Sequence, residues 1–140
     1  MTSETTASSD TLWSAKLTTA FWRDSFARRR CLVPVTQWAE PEGTPGKMTR
    51  TWYALAGHDL FAVAGLWRPT AEWGNAYTMV MADACAQMVD VHDRMPVILP
   101  ASAWPAWLAA DPPEPGELLA LGPVVALNVL VAINVVVGVL

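Results

Sequence analysis

The chain has 140 residues, 53% of them hydrophobic and 16% charged, which suits one domain with a real core and excludes a disordered chain. The formal net charge of −4 excludes a uniformly basic polyanion binder. Its two cysteines, Cys31 and Cys85, lie far apart and outside any CxxC or Cys/His cluster, which argues against structural zinc and for free thiols in a reducing cytoplasm.

Charge is unevenly spread. From Lys16 to Arg50 there are seven basic residues against three acidic ones; from Thr51 onward only Arg68 and Arg94 face eight acids. A basic stretch on an acidic chain still makes a local phosphate site. Eight tryptophans are many for this length, and such rings line cores and binding grooves.

Residues 1–12 are Ser/Thr-rich and read as a flexible leader, with no apolar segment of the signal-peptide kind. Apolar spacing predicts a helix from Leu17 to Arg30, closed by the Arg28-Arg29-Arg30 run, where cations suit the negative helix end. Cys31 to Thr36 reads as a short strand that Pro34 places at an edge or bulge. Glu42 to Thr49, with Gly43, Pro45 and Gly46, reads as a loop. Arg50 to Leu55 and Leu60 to Leu66 read as strands joined by a hairpin turn at Ala56-Gly57-His58-Asp59. Trp67 to Gly74 is expected as a polar connection, Ala76 to Ala82 as a strand, Ala84 to Val89 as a short helix, and Met95 to Leu99 as a strand. Ser102 is expected to cap a short helix through Ala109, with Pro105 in its first turn.

Short strands with long-range pairing and few helices give an α+β domain on a mixed, largely antiparallel or barrel-like sheet, spanning residues 13–110. Residues 111–140 form a Pro-rich connection and an apolar tail. Leu118 to Leu140 is uncharged and as long as a membrane span, but Gly122, Pro123, Asn128 and Asn134 interrupt it. A membrane helix, a buried Val-rich strand or packed tail, and a sequence artefact or altered reading frame are the three readings of that tail.

Three blocks carry a family resemblance. Arg28-Arg-Arg-Cys-Leu-Val-Pro-Val-Thr-Gln-Trp-Ala-Glu40 places an acid nine residues after a cysteine, Phe61-Ala-Val-Ala-Gly-Leu-Trp67 is a strand, and Val91-His-Asp-Arg-Met-Pro-Val-Ile-Leu99 carries a histidine. Their order and spacing resemble the SRAP family, the SOS response-associated peptidases that shield abasic sites in single-stranded DNA. The resemblance covers about Trp13 to Leu108, the C-terminal two thirds of a usual family domain. Family members begin Met-Cys-Gly-Arg, whereas this chain begins Met-Thr-Ser-Glu, so the terminal cysteine nucleophile is missing. The family's Asn-Ala-Arg is Ser14-Ala15-Lys16 here, Pro41 replaces an aromatic residue, and the tail after Pro113 does not match.

The chemistry implied by the resemblance needs an acid near the sugar ring oxygen and a relay for the imine step. Glu40 is the candidate acid, and by itself it also reads as a solvated loop carboxylate beside Glu42. His92 is the candidate relay, and by itself it also reads as a strand-end histidine bonded to Asp90 or Asp93. Candidate DNA contacts are Lys16, Arg28, Arg29, Arg30, Trp38 and Arg94: cations on phosphates, and the indole on a base. Arg94 reads equally well as a brace for Asp90 or Asp93. Trp67 reads as core and His58 as surface.

The resemblance therefore implies abasic-site processing in single-stranded DNA by a monomer, nucleoid-associated in the cytoplasm, with no cofactor and no metal. It also implies autopeptidase chemistry and a covalent DNA link, both impaired by loss of the terminal cysteine; an imine from Thr2 or Lys16 is the weaker substitute. The alternatives are a non-catalytic DNA-binding remnant and a small membrane-associated protein anchored by its tail.

Overall fold

The structure, a computed structural model, describes residues 17, 19–86, 88–112 and 133–136. Expectations for the leader, Lys16 and most of the tail lie outside those residues. The elements in order are α1 (Arg23–Arg28), β1 (Arg30–Val35), β2 (Trp38–Glu42), β3 (Thr49–Tyr53), β4 (Phe61–Thr70) and β5 (Gly74–Met79). There follow β6 (Met81–Asp83), β7 (Arg94–Pro96), β8 (Ile98–Leu99), a 3-10 turn (Ala101–Ala103), α2 (Trp104–Leu108) and β9 (Ile133–Val136). Sheets are antiparallel and helices few, so the class is α+β; no closed barrel forms among the described residues.

The central strand is β4, which pairs with β1, β5 and β8. Phe61 to Leu66 are buried without a break because both faces of β4 are covered. Ala64 and Leu66 face a core built with Phe26, Val97, Leu99 and Trp107. Phe61 and Val63, on the alternate face, join Trp38, Tyr53, Met88 and Ile98 in a second core. Trp107, fully buried, ties α2 to β1 by donating its indole N–H to Cys31 O at 2.8 Å.

Several expected elements are corrected. The helix is shorter than Leu17–Arg30, and Arg30 already belongs to β1. Loop 56–59 does not close a hairpin, since β3 pairs with β2 and β9 while β4 belongs to another sheet. The hairpin forms instead between β2 and β3. Its turn needs Gly43 at φ 110°, where an added Cβ would meet Lys47 O at 2.7 Å. The supposed connection at Trp67 is the second half of β4, paired with β5 from Trp67↔Tyr77 to Thr70↔Gly74. Polar side chains there concealed a strand whose outer end leaves the core.

The single strand expected at 76–82 is broken at Val80. Its N–H bonds to Ala64 O at 2.8 Å and its carbonyl accepts from Val97 N at 2.9 Å, so the chain leaves the β4 sheet for the β6–β7 pair. Among the described residues from 84 to 89, Ala86, Met88 and Val89 lie in turns and none is helical. Ser102 lies inside the 3-10 turn and caps nothing, whereas Pro105 does sit in the first turn of α2. From the tail, Ile133–Val136 pairs with Thr49 to Trp52. No described helix is long and apolar enough to cross a membrane.

Candidate active site

Strand alternation builds one wall. Trp38, Glu40 and Glu42 share a face of β2, and their register partners Tyr53, Thr51 and Thr49 share the same face of β3. Trp38 and Tyr53 stack at 5.3 Å, Phe61 closes edge-on at 5.9 Å, and Thr51 donates its hydroxyl to the Glu42 carboxylate. Glu40 is only 8% exposed, so its carboxyl works in a largely dry environment.

The opposite wall is the loop that ends in β7. Met88, fully buried, anchors it. His92 N donates to Met88 O at 3.0 Å, and Ala84 N donates to Asp93 O at 3.0 Å. His92 Nδ1 lies 2.8 Å from Arg94 O and accepts from the Arg94 N–H at 3.1 Å, so the Arg94 backbone holds the ring in place. Nε2 faces Glu40, with Nε2 and Oε2 3.8 Å apart.

That spacing is too long for a hydrogen bond and short enough for a proton to pass through one intervening oxygen. Burial pushes the Glu40 carboxyl above its usual range, while His92, the Trp38 indole and Arg94 pull it back. Burial, with Glu42, Glu40 and Cys85 adding to it, likewise raises Tyr53. The pair can thus hold and exchange one proton: a carboxyl with raised proton affinity faces a ring nitrogen of fixed position.

Arg94 links this pair to a cleft of ≈ 250 Å³ lined by Leu17, Trp22, Leu66, Thr78 and Met79 to Met81, with Arg94 itself on the wall. Glu40 and His92 do not line that cleft. Arg94 Nε stays 4.0 Å from Asp93, whose side chain is 87% exposed. Among the described residues no group of His, Cys, Asp and Glu could hold a metal ion.

The other candidates separate by exposure. Arg28 is solvent-facing, its side chain 78% exposed and 3.5 Å from Asp24. Arg29 is bound to Asp24 at 2.5 Å and to Trp67 O at 3.2 Å. Arg30 donates to the carbonyls of Trp107 at 2.7 Å, Phe26 at 2.5 Å, Ala27 at 2.9 Å and Ala109, tying both helix ends to β1. Burial lowers its pKa, partly offset by Asp111. Trp38, expected as a base platform, is 7% exposed and locked between Tyr53 and Phe61, so no base can stack on it. His58 is exposed in its turn, as expected.

Sequence reasoning missed Tyr53, Thr51 and Glu42, although alternation in Trp38-Ala-Glu-Pro-Glu42 and Thr49-Arg-Thr-Trp-Tyr53 would have placed them beside Glu40. It also missed the exposed rings Phe21, Trp73 and Tyr77, with the Arg68 guanidinium 4.3 Å from the Phe21 ring centre.

The family described as SOS response associated peptidase (SRAP) matches residues 4–138. This chain belongs to the SRAP family. The match runs from the leader to the end of the tail, and β9 lies inside it. At family level, SRAP membership suggests DNA-damage-associated abasic-site processing and interaction with DNA.

Solved structures agree with the fold. A protein from Bordetella bronchiseptica is 27% identical, with a TM-score of 0.69 over 86% of this chain and 62% of its own. A phage-related protein from the same organism is 28% identical, with a TM-score of 0.62 over 79% and 56%. A protein from Bacteroides thetaiotaomicron, 19% identical with a TM-score of 0.65 over 76% and 50%, shares the fold. The chain thus spans between 50% and 62% of the length of these structures. No curated protein matches it.

Proposed function

We propose that this SRAP chain recognises abasic sites in single-stranded DNA, and that Glu40 and His92 move the protons of the sugar chemistry. One observation carries the reading: two groups distant in sequence face each other at 3.8 Å between a dry strand wall and a half-exposed loop. In its protonated form Glu40 gives a proton to the ring oxygen while His92 takes the proton of the anomeric hydroxyl, so the sugar opens to its aldehyde. An amine from the segment before Leu17, for which Lys16 is the candidate, then adds to that aldehyde. The carbinolamine loses water with a proton returned through His92, leaving an imine. Arg94 supplies a positive charge beside the pair for a flanking phosphate.

The strand path we favour uses what is exposed. Arg28 meets phosphates, while Phe21 with Arg68, Tyr77 and Trp73 offers ring faces for splayed bases.

Borohydride trapping on a single-stranded abasic oligonucleotide tests the proposal, because reduction fixes an imine as a covalent adduct. The expected result is an adduct that Glu40→Gln and His92→Ala form far more slowly. Affinity for the oligonucleotide with no adduct would leave a non-catalytic DNA-binding protein as the better account.

A further inference from the structure

We propose that Trp38 is a positioning residue for the site: its indole N–H is the donor that orients the Glu40 carboxyl toward His92, directly or across one water. The inference starts from a buried polar atom. Among the described residues, Trp38 Nε1 is the one buried side-chain nitrogen or oxygen with no hydrogen-bond partner. Such donors are rare in folded proteins, and an unserved one costs stability unless it meets an acceptor when the site is filled.

The ring cannot turn away to find water. It is stacked on Tyr53 with planes 24° apart and held edge-on by Phe61. Trp38 and Glu40 are separated by one residue on β2, so their side chains leave the same face of the strand. The indole also acts on Glu40, working with His92 and Arg94 against the effect of burial. Glu40 thus shares its strand face with the unpartnered Trp38 donor and meets the His92 nitrogen 3.8 Å from Oε2. The donor favours the ionised carboxylate, so it sets how readily Glu40 releases its proton and fixes the direction in which the carboxyl points. Trp38 acts through Glu40 and touches no substrate.

The proposal rests on Glu40 being the working carboxyl, but its test uses no DNA. In the isotope-labelled full chain, the Glu40 carboxyl is titrated by NMR in the wild type and in Trp38→Phe, which keeps an aromatic ring between Tyr53 and Phe61. The expected result is a Glu40 pKa raised by about one unit in the variant, a tenfold change in proton affinity. In the wild type, the Trp38 indole proton resonance should move with the Glu40 titration and lose that movement in Glu40→Gln. An unchanged Glu40 pKa in folded Trp38→Phe, or an indole resonance flat through the wild-type Glu40 titration, would overturn the proposal. Should Trp38→Phe not fold, the wild-type titration decides alone. A failed borohydride trap leaves these titrations standing, so the two readings fail separately.

Discussion

Replacing Arg30 with alanine removes a cation that lies in the middle of a basic run yet spends its donors inside the fold. Its guanidinium serves Trp107 O at 2.7 Å, Phe26 O at 2.5 Å, Ala27 O at 2.9 Å and Ala109 O, and rests 5.9 Å from the Trp107 ring centre. Phe26 and Trp107 are buried, so their carbonyls regain water least when the donors go. Two such bonds at about 1–1.5 kcal/mol each give a loss of roughly 2–3 kcal/mol. Against a total stability of about 5–15 kcal/mol that is a large share. A melting temperature lower by roughly 10 °C follows for a domain of this size. Urea unfolding of Arg30→Ala beside Arg28→Ala measures it, and Arg28→Ala should stay within about 0.5 kcal/mol of wild type. Wild-type stability in Arg30→Ala combined with weakened DNA binding would refute the structural assignment.

Further outcomes follow from the same geometry. An added Cβ at Gly65 would lie 2.6 Å from Val33 Cγ2 and 2.8 Å from Cys31 Sγ, so Gly65→Ala should destabilise by about 1–3 kcal/mol in urea unfolding. Glu40 ties stability to pH. Its folded pKa is raised above the ordinary 4.5, so its stabilising contribution is full below about pH 4.5 and is lost as pH rises through the folded pKa. Glu40→Gln cannot ionise, so its stability relative to wild type should increase across that window and then level off; a difference independent of pH would contradict the burial argument. Arg28→Ala should lower the salt dependence of DNA binding by about one unit of slope without changing the adduct, measured by titrations at several salt concentrations.

The sequence made the inner part of the fold legible and misread its edges, for physical reasons. Runs such as Phe61 to Leu66 are apolar because both faces are covered, and they read as strands at once. The outer half of β4, with Arg68 and Thr70, lies beyond the cores, so polarity hid a strand held by its pairing with β5 and by contacts such as Arg29 to Trp67 O. Pairing between β3 and β4 looked natural from a short Gly-containing link, but Trp38 and Tyr53 stack across β2 and β3, and Phe61 packs on that stack from the other sheet. Glu40 and His92 were visible through motif resemblance, since nothing local to either residue brings strand and loop together. The arginine run showed charge and not its use: Arg28 faces solvent while Arg30 is consumed by helix-end carbonyls. Trp38 illustrates the same limit, because a ring suited to stacking on bases stacks on Tyr53 instead.

The central claim, that Glu40 and His92 act together on one proton path, is tested most directly by single-turnover adduct formation on abasic single-stranded DNA. The rates needed are those of wild type, Glu40→Gln, His92→Ala and the double variant. General acid–base catalysis of this kind is worth about 10²–10⁴ in rate. The account expects each single variant to lose that order of rate, and the double variant to be little slower than either, because both groups serve one transfer. Losses that multiply in the double variant, or single variants that react at the wild-type rate, would contradict it.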